Sequence, residues 1–206
     1  MRIERTDQYL QSTEIVDWHN PLVSRKAIEL AEGLSDPEAI AKSCFEFVRD
    51  RIKHSNDCQM NPVTCAASEV LTHGTGYCYS KSHLLAALLR ANRIPAGICY
   101  QRLTISDGRP PYCLHALNAI YLNGIGWYRV DARGDKAEIE TCFMPPVEKL
   151  AFSIEIPGEA DLPEIWPEPL HQVVRVLRSS KTFKEVADNL PDVELIGNIL
   201  LSGKRE

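Results

Sequence analysis

A helix that is apolar around most of its circumference has to be buried, and residues 71–95 of this 206-residue chain, LTHGTGYCYSKSHLLAALLRANRIP, contain one. Leu84, Leu85, Leu88 and Leu89 fall at offsets of one, four and five and form a continuous apolar face. Ala86, Ala87 and Ala91 fill much of the remainder. Pro95 ends the helix and pushes Ile94 toward an extended conformation. Just ahead of it, Gly74 and Gly76 interrupt the backbone, so Cys78 enters in the first turn. Unpaired N–H groups and the positive end of a helix stabilise an anion there, and a thiolate is one. A small semi-buried residue at a loop entering the core is the other reading, since most free cysteines are structural.

The period of the pattern changes at Pro95. Before it, Pro21 opens an amphipathic segment carrying Leu22, Val23, Ile28, Leu30, Ala31 and Leu34 and ending at Gly33. Ser35, Asp36, Pro37 and Glu38 then mark a second helix start, with a capping residue, a first-turn proline and acids near the positive end. Its core-facing stripe runs through Ile40, Cys44, Phe45, Phe47, Val48 and Ile52. A polar loop, HSNDCQMNPVT, and a short helix over residues 66–71 lead back to the glycine stretch. After Pro95, residues 96–103, 112–122 and 125–130 read as strands, with a turn over 107–111 and a hairpin at Asn123 and Gly124. Beyond Gly134, repeated prolines predict an irregular cover over the core, finished by short helices at 170–177 and 183–190. Helices followed by an antiparallel sheet predict an α+β fold. The expected parts are an N-terminal arm and helix (1–35), a core (36–145) and a C-terminal extension (146–206), together one compact domain.

Charge and cysteine usage exclude several classes. A net charge of −5 gives the chain no overall basic character to attract nucleic acid or an anionic membrane, and nothing basic clusters in the sequence beyond Lys204 and Arg205. Charged residues stand where a signal peptide needs an apolar core, and no run is long enough to span a bilayer. A cytoplasmic protein is expected. Seven cysteines, an odd number at irregular spacing with no C-x-x-C, predict reduced thiols. No pair of histidines sits at ligand spacing, so neither a metal nor another cofactor is expected.

A nucleophilic thiol needs a base, and the base needs an orienting group. His83 is five residues from Cys78, about 140° round the helix, and is expected to pack beside it. His73 is poorly fixed by its glycine loop, His54 sits at a helix end where a surface role is the default, and His19 and His171 carry no signal. His115 lies in the second strand, and Asp131 ends the third. If opposed residues sum to 246, Asp131 faces His115 directly; a two-residue Asn-Gly turn gives 247 and calls for a bulge near Gly126. A buried acid there needs a partner, and an imidazole N–H is a good one. Cys113 is the rival nucleophile, badly placed for attack on the same strand as His115.

These pieces together resemble the transglutaminase-like superfamily: G-x-G-x-C with L-L-A-A-L-L-R-A-x-x-I-P over 74–95, L-H-A-L-N-A over 114–119 and G-W-Y-R-V-D-A-R over 126–133. The likeness covers about residues 36–135. Leu117 and Arg93 depart from the usual aromatic and glycine, and neither touches the three chemical residues. The resemblance implies a papain-like core with Cys78 as nucleophile, His115 as general base and later acid, and Asp131 as the group orienting it. It implies an oxyanion hole containing the Cys78 N–H, with Asn56 or Gln59 as candidate second donor, and Tyr77 and Tyr79 lining the cleft. The implied function is acyl transfer on a peptide or amide substrate through a thioester, as a hydrolase. The alternatives are an idle binding module, a transglutaminase proper and an arylamine-type acyltransferase.

Overall fold

The computed structural model describes residues 6–106, 108–134 and 139–194. The first five residues of the expected arm, Asp107 of the expected turn and the Lys204–Arg205 cluster lie outside them. A single 3-10 turn at Asp7–Leu10 precedes α1 (Pro21–Ala31) and α2 (Pro37–Arg51). The two-residue strand β1 (Lys53–His54) leads to α3 (Ala67–His73), the equally short β2 (Thr75–Gly76) and α4 (Cys78–Ala91). The antiparallel strands β3 (Ala96–Ser106), β4 (Arg109–Leu122) and β5 (Gly126–Val130) follow. A hairpin of β6 (Cys142–Met144) and β7 (Val147–Lys149), the short β8 (Ala160–Asp161), α5 (His171–Ser179) and α6 (Phe183–Ala187) complete the described chain. The main sheet has the order β5-β4-β3-β8.

Helix α4 is buried on every side from Cys78 to Arg90, as its all-round apolar sequence requires. It packs against α1, α2 and α3 and against β3 and β4. Asp36 caps α2 by accepting the Ala39 N–H, and Ala41, Cys44, Phe45 and Val48 form its buried face.

Helix α1 presents a different face from the expected one. Val23 and Ala27 are buried, while Leu22, Ile28 and Leu34 are exposed. At about 100° per residue Ala27 lies within about 40° of Val23, whereas Leu22 and Ile28 fall on either flank, more than about 90° away. Strand β4 starts earlier than expected: Arg109 and the two prolines after it extend the strand, with Ser106 paired to Arg109. The C-terminal region is more ordered than its prolines suggest. Residues 142–149 form the β6–β7 hairpin, β8 adds an edge to the main sheet beside β3, and Trp166 pairs with Ile98.

Candidate active site

The backbone before α4 is held in place residue by residue. Gly74 ends α3 in the left-handed conformation at φ 65°. Thr75 and Gly76 then pair in parallel with Lys53 and His54. A Cβ on Gly76 would stand 2.5 Å from Ser80 Oγ and 3.3 Å from Thr64 Oγ1, so only glycine fits. The hydroxyls of Ser55, Thr64, Thr75 and Ser80 form a buried cluster around this crossing. Tyr77 is extended and Cys78 is the first residue of the helix, where its N–H has no intrahelical acceptor. The same helix is tied to the sheet twice: Tyr79 Oη donates to the Leu114 carbonyl at 2.6 Å, and Asn118 Nδ2 donates to the Ser82 carbonyl at 3.0 Å.

His115 and Asp131 meet through His115 Nε2 and Asp131 Oδ2 at 2.7 Å, both buried. The β4–β5 register sums to 248, not 246 or 247, because the loop comprises Asn123, Gly124 and Ile125. Asp131 is therefore diagonal to His115 and one residue past the end of β5. The offset of two keeps the side chains on one face of the sheet, which an offset of one would not. Asp131 takes Nε2 and leaves Nδ1 of His115 to other partners, and Cys78 lies near enough to the ring to act on its charge. Burial alone would lower the His115 pKa, but the Asp131 carboxylate and the Cys78 sulfur beside it raise it to about 10. Burial likewise works against the Asp131 carboxylate, yet His115 and the backbone N–H groups of Arg133 and Ala151 hold its pKa below the ordinary value.

A cavity of about 550 Å³ opens over this group, and His54, Asn56, Tyr77, Tyr79 and Cys113 are among its walls. Asn56 is exposed at the rim with its Oδ1 3.5 Å from the Tyr77 hydroxyl, whereas Gln59 is exposed and absent from the lining. Tyr79 is almost wholly buried, and its ring stacks on that of Tyr77 with 6.3 Å between centroids. His54 is not a plain surface residue: it lines the cavity, packs edge-on to Tyr77 and stands 3.4 Å from Asp57, which also pairs with Arg133. His83 bonds the Cys65 carbonyl inside the core, and burial lowers its pKa to about 4, so it stays neutral there. Burial pushes the Cys113 thiol up to about 12, which removes it as a rival at neutral pH. Among the described residues no group of three or more His, Cys, Asp or Glu could hold a metal ion.

Three further contributors are absent from the sequence analysis. The Phe152 ring stands edge-on to His115 with centroids 4.9 Å apart, and its neighbour Ala151 donates an N–H to Asp131. Gln101, directly across from His115 on β3, holds the Phe152 carbonyl through Nε2 at 3.2 Å. The strand pairing of β3 with β4 was a signal for Gln101; Ala151 and Phe152 come from a segment with no periodicity to read.

Lys81, one turn after Cys78, is 1% exposed and donates to the Ile52 and Arg49 carbonyls. Burial lowers its pKa to about 7. An unfolded lysine titrates near about 10.4, so between pH 7 and 10 the unfolded chain binds more protons at Lys81 and stability rises with pH. His115 acts oppositely: its folded pKa of about 10 lies above its ordinary 6.5, so its contribution is full below 6.5 and lost as pH climbs to 10. The two oppose each other in the wild type. Lys81→Met removes one of them, and its urea midpoint should fall from pH 7 to 9.5 while the wild-type midpoint changes less. A mutant midpoint that rises over that window contradicts the assignment.

No curated protein matches this chain. Among solved structures, a "Putative Cysteine Protease from Cytophaga hutchinsonii" is similar at 17% identity and a TM-score of 0.52, over 62% of this chain and 42% of that one. The periplasmic domain of TgpA from Pseudomonas aeruginosa gives 22% identity and a TM-score of 0.47, over 62% and 46%. The chain thus spans less than half the length of either structure. The first likeness supports the fold and nothing finer. The model of the transglutaminase-like superfamily matches residues 25–132, reaching back into α1 and ending just after Asp131. That match takes in more than half of the sequence and every element that carries Cys78, His115 and Asp131, and on it the chain belongs to the transglutaminase-like superfamily.

Proposed function

We propose that this protein is a cysteine-dependent hydrolase that cleaves an amide or peptide bond through a thioester. The observation that carries the reading is the buried His115–Asp131 contact of 2.7 Å, in a cavity whose lining also includes Cys78, the first residue of α4. Cys78 attacks the substrate carbonyl as a thiolate, forming the S–C bond and placing the electron pair of the C=O on oxygen. The Cys78 N–H and Asn56 Nδ2 receive that oxyanion. Orientation of the Asn56 oxygen toward Tyr77 leaves its amide nitrogen for the cavity. The His115 ring, protonated at neutral pH, gives its proton to the leaving nitrogen as the C–N bond breaks. It then takes a proton from the water that attacks the thioester, releasing the acid and restoring the thiolate. Asp131 keeps the ring in one orientation and stabilises its charge throughout. The cytoplasm is the proposed compartment, in keeping with seven cysteines that are all free.

The test combines labelling and turnover. Limiting iodoacetamide at pH 6.5 should alkylate Cys78 before any other cysteine. Cys44, Cys65, Cys99 and Cys113 are pushed up to about 12 by burial, and the exposed Cys58 serves as the internal reference. His115→Ala should bring Cys78 down to the rate of Cys58. A fluorogenic amide and peptide panel, with Cys78→Ala as control, identifies the substrate class. Labelling of Cys78 no faster than Cys58, or turnover that survives in Cys78→Ala, rejects the reading.

A further inference from the structure

We propose that residues 183–192 close one end of the cleft, so that the substrate is a small amide or the end of a chain rather than the interior of an extended polypeptide. The inference rests on the cysteine-hydrolase reading of Cys78 and adds its substrate class. These residues lie beyond the part of the chain that the family model matches.

The segment bridges the two walls that flank Cys78. On the helix side, the Tyr77 hydroxyl donates to the Phe183 carbonyl, and Asn61 Oδ1 accepts the Phe183 N–H at 2.8 Å. Val186, in α6, is fully buried and anchors the crossing. On the sheet side, the Leu114 N–H donates to the Pro191 carbonyl at 2.7 Å. Asp192 then takes Arg102 in a two-pronged ion pair, with both N···O distances 2.7 Å. Between these anchors Leu190 faces the cavity.

The consequence lies in the edge of β4. Strand β5 pairs with β4 only as far as Asn118, which leaves the stretch beside His115, paired to β3 on one side, without a neighbouring strand on the β5 side. A long peptide bound across such a site gains most by adding itself to that edge through main-chain hydrogen bonds. Here both main-chain groups of Leu114 are already used, the N–H by Pro191 and the carbonyl by Tyr79. An extended substrate has no edge to join there, and Leu190 and Pro191 stand in its path. A substrate that ends at the reacting carbonyl or shortly after it meets no such obstacle.

The experiment compares one electrophile in two sizes. Methyl vinyl sulfone is the small probe, and an N-acetylated octapeptide amide with a vinyl sulfone in place of its central peptide bond is the long one. In both, the Cys78 sulfur adds to the alkene carbon remote from the sulfone and the carbon bearing the sulfone takes up a proton. Rates at Cys78 are divided by those at the exposed Cys58 of the same molecule. The long probe should be slower than the small one by at least about tenfold, the factor by which a mostly closed site lowers an apparent rate. Asp192→Lys, at a half-exposed position outside the site, sets two cations against each other at Arg102. It should leave the small-probe rate unchanged and raise the long-probe rate severalfold. Equal normalised rates in the wild type overturn the proposal, and an unchanged gap in Asp192→Lys takes the closure away from this segment. Failure of methyl vinyl sulfone to prefer Cys78 over Cys58 rejects the hydrolase reading itself.

Discussion

Asp131→Asn should lower amide turnover by about 10⁴-fold, the scale at which the wrong imidazole tautomer disables a cysteine or serine triad. The reason is a count of donors. Asp131 Oδ1 accepts the Arg133 N–H at 3.0 Å, while Oδ2 accepts both His115 Nε2–H and the Ala151 N–H. An asparagine offers one oxygen and one NH₂ group to these three donors. With its NH₂ at the Oδ1 position it faces the Arg133 N–H, donor against donor. With its NH₂ at the Oδ2 position it faces Ala151 and makes His115 present a bare Nε2, moving the ring proton to the nitrogen that serves Cys78. One buried donor is lost in either pose, which costs about 1–3 kcal/mol of stability. The His115 pKa should also drop from about 10, since the Asp131 charge is a main cause raising it. Turnover of the fluorogenic amide, Cys78 alkylation at pH 6.5 and an NMR titration of His115 read the three effects separately. A variant within tenfold of wild-type turnover rules out Asp131 as the orienting group.

The pairing behind that prediction was legible in the sequence only up to its parity. Strand periodicity brought His115 and Asp131 into one hairpin, and a loop of three residues was among the alternatives. The loop begins one residue later than that alternative placed it, at Asn123, so the sum is 248. Both 246 and 248 keep the two residues on the same face, which is why a register error of two left the contact intact. Cys78 was legible for a stronger reason. The glycines and the apolar helix fix the start of α4 locally, with little dependence on the rest of the chain. Gln59 failed as a candidate because membership of a polar loop says nothing about which residue turns inward; His54, on the short β1, does so.

The segment after Gly134 resisted reading because its structure is set by distant partners. The two-residue β8 owes its place to β3, and the turn between β6 and β7 is built on the two prolines that suggested irregularity. Ala151 and Phe152 have no pattern of their own; they are placed by Asp131, His115 and Gln101. The second half of the chain therefore contributes to the site through contacts that span dozens of residues, and spacing rules see none of them.

Arg90→Met should produce the largest loss of stability without a matching loss of chemistry. Arg90 is fully buried at the far end of α4 and makes four hydrogen bonds to carbonyl oxygens: two to Ala96, one to Pro167 and one to Gln11. Burial lowers its pKa to about 10, so it remains charged at pH 7. The guanidinium thus joins the N-terminal segment, the start of β3 and the approach to α5 around one helix end. Methionine keeps most of the length and restores apolar packing, but it strands the buried carbonyls. Hydrogen bonds to a charged group contribute about 1.5–3 kcal/mol each, less the cost of burying the charge. A net loss of about 3 kcal/mol, or roughly 6–12 °C in Tm for a chain of this size, is expected. The first residue of α4 lies about 18 Å away along the helix at 1.5 Å per residue, so Cys78 alkylation per folded molecule should stay at the wild-type rate. A Tm within about 2 °C of the wild type means that the cost of burying the guanidinium cancels its four bonds. A slowed alkylation rate in protein that is still folded means instead that α4 transmits a change at its C-terminus to the thiol at its N-terminus.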